Sequence, residues 1–139
     1  MRHSFFYNTN AQITILNITP DIKKFFKASK VDAELCHLFV KHTTCALIIM
    51  ENEAGIKKDL KEFIHKIAPR RKKYFHDSEC GDDNGAAHLC SEFLGQSLTI
   101  PLKNGNLDLG AWQNIFLIDF DNKPREREVV LTTFSDYKP

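Results

Sequence analysis

The sequence predicts an α+β fold: a single β-rich antiparallel domain spanning residues 1–139, with two or three helices. Three observations predict it. From Ser97 to Phe134, short apolar runs alternate with turn residues, the pattern of successive strands. Between Asn52 and Pro69, Ile56, Leu60, Phe63, Ile64 and Ile67 recur at the helical period. Finally, 139 residues without a linker, repeat or low-complexity tract fit one domain, whose core should bury roughly two-thirds of the unfolded chain's surface.

Taken in order, Ser4 to Asn8 and Ala11 to Ile18 read as strands. Thr19-Pro20-Asp21 opens a helix, with Thr19 as its cap, Pro20 at the first helical position and Ile22, Phe25 and Phe26 turned inward. Glu34 to His42 is a strand whose Cys36, Leu38, Val40 and His42 share one face, because side chains alternate along an extended chain. Thr43-Thr44 forms a bend, and Cys45 to Met50 is apolar enough for a strand buried on both sides. Asn52 caps the central helix, Glu53 favours the positive end of its dipole, and Pro69 ends it. A second helix over Ala86 to Leu94 carries Ala86, Leu89, Cys90 and Phe93 on its apolar stripe, with Gly95 as its stop. The remainder is strand: Ser97 to Leu102, a turn at Asn104-Gly105, a short piece through Leu109, Trp112 to Phe120 and Arg127 to Phe134. Asp121 to Pro124 forms the turn between the last two, which predicts an antiparallel meander.

Charge and composition narrow the function. Nineteen basic against 18 acidic residues leave a net charge of +1, so no strong field selects a nucleic acid or an anionic membrane. Arg70-Arg71-Lys72-Lys73 reads as a solvated helix exit. No apolar run reaches the ~18 residues needed to span a bilayer, and Met1 to Asn10 lacks the apolar core of a signal peptide, so a cytoplasmic protein is expected. Cys36, Cys45, Cys80 and Cys90 contain no Cys-x-x-Cys pair and are expected as free thiols.

Chemistry concentrates between Tyr74 and His88, where His76, Asp77, Glu79, Asp82, Asp83, Asn84 and His88 crowd a loop that ends as a helix begins. Imidazole and carboxylate serve equally as ligands of a divalent metal and as acid and base near neutral pH. His42, emerging at a strand end, is the third histidine of interest. A helix start attracts phosphate, yet Asp82 and Asp83 beside it repel one unless a cation intervenes, which favours a metal-bridged phosphate. A structural zinc site of His76, Cys80, His88 and Cys90 is a competing arrangement.

His42-Thr43-Thr44, Glu51-Asn52, Asp59, Tyr74-Phe75-His76-Asp77, Asp82-Asp83-Asn84 with His88, Gly95, Ser97, Pro101, Gly105, Gly110-Ala111-Trp112-Gln113 and Arg127 together resemble the YjbQ family, often called secondary thiamine-phosphate synthases. The resemblance implies a sandwich-like subunit that assembles as a homotrimer. It implies weak thiamine-phosphate synthase activity, joining a hydroxymethylpyrimidine diphosphate to a thiazole phosphate with loss of pyrophosphate. The carried-over site is His42, His76 and His88 as metal or catalytic residues, with Glu51 as a catalytic neighbour and Asp83 either as a fourth ligand to zinc or magnesium or as a residue orienting a histidine. Thr43, Asn84, Trp112 and Gln113 become the substrate contacts, Trp112 stacking on the pyrimidine and Gln113 bonding its edge. The chain departs from the pattern at Cys45, where alanine or serine is usual, at Asn106, where a charged residue is common, and at its end, which lacks the usual Gly-Glu. Three function classes follow: a metal-assisted transferase, a metal-dependent hydrolase of a phosphorylated small molecule, and a non-catalytic ligand- or metal-binding trimer.

Overall fold

A computed structural model describes residues 1–135; Asp136–Pro139, on which the missing Gly-Glu bears, lie outside the described residues. The chain folds as β1 (Arg2–Thr9), β2 (Thr14–Asn17), α1 (Thr19–Ser29), β3 (Leu35–Val40), β4 (Cys45–Met50), α2 (Ala54–Ile67), α3 (Phe75–Cys80), α4 (Gly85–Leu94), β5 (Ser97–Lys103), β6 (Asn106–Leu107), β7 (Asn114–Asp119) and β8 (Arg125–Phe134). The predicted α+β class holds, with one helix more than expected at the upper count. Two sheets form, ordered β1-β8-β3-β5-β6 and β2-β7-β4, and every pairing is antiparallel.

The inner faces of the sheets supply the main core. Cys36, Leu38 and Val40 of β3 and Val129 and Leu131 of β8 meet Cys45 and Leu47 of β4 and Ile115 and Leu117 of β7, with Ile18, Ile22 and Phe26 closing one end. The other face of the three-stranded sheet, through Ala46, Ile118 and Phe120, packs on Ile64 of α2 and on Ala86, Ala87 and Cys90 of α4. β7 is thus covered on both sides, which is why its sequence shows an unbroken apolar run instead of alternation. Burying one such side chain, Phe116 for example, stabilises the fold by about 1.5–3 kcal/mol.

Several expectations are corrected. The predicted meander does not form: β7 and β8 belong to different sheets, and the Asp121–Pro124 turn is a corner between them. Each takes a central position in its own sheet, β7 between β2 and β4 and β8 between β1 and β3. Thr19 does not cap α1; its hydroxyl accepts the Ile115 N–H at 2.7 Å, tying α1 to β7. Glu53, not Asn52, caps α2, its carboxylate accepting the Gly55 and Ile56 N–H groups.

The helices are also rotated from the expected faces. α4 buries its small residues, Ala86, Ala87, Cys90 and Ser91, while Leu89 and Phe93 point outward. Small side chains bring α4 close enough to β4 for the Ser91 hydroxyl to donate to the Cys45 carbonyl. In α2 only Ile64 is fully buried, and Ile56, Phe63 and Ile67 are exposed. The acidic loop contains a helix, α3, closed by Gly81 at φ 71°; it buries none of its residues, so it carries no apolar periodicity to read.

Candidate functional site

Four segments converge at the end of the sandwich where β3 leaves and β4 begins. The β3–β4 turn brings His42, Thr43 and Thr44; α3 brings His76; the start of α4 brings Asn84 and His88; and the β7–β8 corner brings Asp121, Arg125 and Arg127. They enclose an open cleft of about 610 Å³, rimmed also by Lys41, Asp82 and Glu126. His42, His76 and His88, distant in sequence, line this one cleft.

The histidines of α3 and α4 are held in register by Asp77. Its carboxylate accepts the Gly85 N–H at 2.7 Å and the Tyr74 N–H at 3.2 Å, joining the two helix starts. Gly85 lets the backbones approach, since a Cβ there would stand 2.6 Å from the Tyr74 Cβ. As a result the His76 and His88 rings lie with centroids 4.4 Å apart and planes tilted by 51°.

Asn84, buried at the head of α4, fixes the protonation pattern. Its amide nitrogen donates to Asp121 at 3.4 Å, so its oxygen faces His76 Nε2 at 3.1 Å and requires that nitrogen to carry the proton. Asp121 is in turn held by Arg125 Nε at 3.0 Å and Arg127 Nη2 at 3.1 Å. Burial raises the Asp121 carboxyl, but the bonds from Arg125, the Asn122 N–H and Asn84 more than offset this, leaving it below its ordinary value. Arg127, itself buried, forks onto Asp119 at 2.7 and 2.9 Å and donates to the Thr44 hydroxyl at 2.9 Å, while Thr9 donates to Asp119 from β1. Charge-assisted, bidentate bonding of this kind fixes geometry as well as adding strength.

His42 receives the Glu128 N–H on Nε2 at 2.9 Å, so its neutral ring carries its proton on Nδ1. Burial and then the Arg127 charge push its pKa below the ordinary histidine value. Burial and then His76 do the same to His88. At neutral pH both rings are uncharged: His42 has its Nε2 occupied and can only donate from Nδ1, whereas His88 is able to accept a proton.

The donor set decides whether a metal ion fits the cleft. Among the described residues, no group of three or more His, Cys, Asp or Glu side chains is placed to hold a metal ion. His42 Nε2 is committed to Glu128, and Asp83, an exposed residue at φ 54°, is not among those lining the cleft. The arrangement therefore does not fit the expected His42, His76, His88 and Asp83 centre. Nor does it fit a His76, Cys80, His88 and Cys90 zinc site, since Cys80 is exposed while Cys90 is buried against α2.

Three expected substrate or catalytic residues lie elsewhere. In the β4–β7 ladder, Cys45 pairs with Asp119 near the cleft and Met50 with Asn114 at the far end, roughly 17 Å away at the rise of a strand. Glu51, Trp112 and Gln113 flank that far end, so within one subunit they do not reach the histidines. Gln113 closes a local turn, accepting the Gly110 N–H, and Trp112 is 74% exposed. Thr43 and Asn84 do line the cleft.

The residues that sequence reasoning missed at the cleft, Asp121 and Arg125, had a signal. Two acids two apart end an apolar strand, and two arginines two apart, Arg125 and Arg127, begin the next. A four-residue turn between them must bring the opposite charges together.

Residues 3–136 match the family model described as UPF0047 protein YjbQ-like. A UPF0047 protein of Archaeoglobus fulgidus is 37% identical over 123 residues, covering 88% of this chain and 93% of the relative. The chain belongs to the YjbQ-like family. A hypothetical protein of Aeropyrum pernix superposes with a TM-score of 0.90 at 30% identity, over 98% of this chain and 99% of that one. A YbjQ-like protein of unknown function from Sulfolobus solfataricus gives 0.84 at 28% identity, over 98% and 100%. Within the YjbQ-like fold, both ends of the resemblance read from the sequence, His42 and Arg127, line the same cleft.

Proposed function

We propose that the His42/His76/His88 cleft is an acid–base site acting on a phosphorylated small molecule. The observation that carries this reading is the facing pair His76 and His88, with His88 held neutral by burial, in a polar cleft shared with Arg125 and Lys41. Arg125 gives only its Nε to Asp121, which leaves its terminal amino groups free for an anion among the described residues. Perturbed imidazoles in a cleft are a recurrent mark of catalysis.

At the finer level the family resemblance supports a transferase that couples a hydroxymethylpyrimidine diphosphate to a thiazole phosphate. That step forms a bond to the pyrimidine's methylene carbon and breaks the bond from that carbon to diphosphate. Charge then builds on the departing oxygens. Arg125 would stabilise it, and the neutral His88 ring would donate a hydrogen bond. A second reading, hydrolysis, is favoured by the lowered pKa of His88, since an uncharged imidazole in an open cleft can take a proton from water.

Supplying the pyrimidine diphosphate with and without the thiazole phosphate separates these readings. Coupled product supports the transferase, and phosphate or pyrophosphate release without coupling supports the hydrolase. Binding without turnover would make the chain a ligand-binding protein and overturn both.

A further inference from the structure

His76 and His88 have a second side. Besides the polar cleft, the two rings line a separate notch of about 290 Å³ whose other walls are Tyr74, Phe75, Leu89 and Glu92. The imidazole pair is therefore a partition between a charged compartment and a mainly apolar one. Phe75 stands at this notch 92% exposed, and Leu89 is 48% exposed on the neighbouring helix. An aromatic residue left in water on a short helix forgoes the burial that normally holds it, unless something else covers its ring.

From this juxtaposition we propose that the notch is the ring subsite of the substrate, with Phe75 stacking on an aromatic or heteroaromatic group whose phosphorylated arm crosses the His76/His88 pair into the polar cleft. The inference rests on the proposed reading of that cleft as a phosphate site, and adds where the ring sits and the residue that selects it. A volume near 290 Å³ is small for a whole substrate but suits one ring, and small-molecule sites are usually apolar with a few placed polar groups. Glu92 is the polar group here, an acceptor for ring N–H or amino substituents. The bond at the junction of ring and phosphorylated arm then falls beside the paired imidazoles, where acid–base groups are useful. Phe75 takes over the stacking role that the sequence gave to Trp112.

Calorimetric titration of the intact chain with inorganic phosphate and with benzyl phosphate tests this. Benzyl phosphate should bind on the order of tenfold more tightly than phosphate, the range of one stacked ring. Phe75→Ala, at an exposed position, should abolish that advantage while leaving phosphate affinity unchanged, and Phe75→Trp should restore it. Arg125→Ala should weaken both ligands together. If phosphate binds but benzyl phosphate binds no better, or if its advantage survives in Phe75→Ala, the ring subsite is wrong and the cleft reading stands. If neither ligand binds the unaltered protein, the phosphate reading fails and the subsite with it.

Discussion

His76 and His88 face each other across 4.4 Å because Asp77 ties the start of one helix to the start of the next. His88 is half-buried and lies apart from both core clusters, so its ring serves the cleft more than the fold. Replacing it by alanine should lower turnover by at least about 10²-fold, the low end for a positioned acid–base group, with little change in melting temperature. An unstable variant with near-normal activity per folded molecule would mean that the ring is structural.

The lowered pKa values of His42 and His88 give stability a defined pH dependence. Unfolded, both titrate near 6.5; folded, both titrate lower. The unfolded chain therefore binds protons first on acidification, so this contribution is complete above pH 6.5 and is lost as pH falls through the folded values. Melting temperature should drop from pH 7 towards pH 5, less steeply in His42→Gln. A melting temperature that climbs over that interval would contradict the assignment.

Arg127 is buried, and its removal strands Asp119, which is fully buried, without a counter-charge. Arg127→Met should cost about 3–5 kcal/mol in urea denaturation, with part of the loss recovered by adding Asp119→Asn. A cost under 1 kcal/mol would show that the ion pair contributes no more than a surface bridge.

Because no three-ligand centre forms among the described residues, chelation with EDTA should leave activity on the phosphorylated substrate unchanged. Equilibrium dialysis should likewise find less than one zinc per chain. Stoichiometric zinc that disappears in His88→Ala would restore the metal-assisted mechanism.

The resemblance to the YjbQ family leads us to expect three chains in solution. Phe63, Ile67 and Phe93 leave apolar surface on α2 and α4 of the kind that subunit contacts cover. Light scattering at micromolar concentration should return three times the 16.0 kDa chain mass, and a monomeric mass would refute it.

What was legible in the sequence was what depends on local periodicity or on residue chemistry. Pro69 stopped a helix, Cys36-x-Leu38-x-Val40 alternated on one face, and the histidines were conspicuous by type. What was hidden depends on partners distant in the chain. Leu89 and Phe93 look like a core stripe until α4 is seen to need small residues against β4. Trp112 looks like a stacking platform until the β4–β7 register sends it to the opposite end. Asp121 to Pro124 looks like an ordinary turn, because only the change of sheet makes that hairpin-like segment a wall of the cleft.

β7 lies between β2 and β4, and β8 between β1 and β3. β1, β2 and β4 have no other strand partner among the described residues. During synthesis, which delivers the chain N-terminus first, most of both sheets must therefore wait for residues beyond Asn114. His42, His76 and His88 leave the ribosome early but find no cleft until Asp121, Arg125 and Arg127 follow. Nascent chains arrested before Asn114 should be open to protease and rely on chaperones, and the capacity to bind substrate should appear in a single late step rather than growing with length.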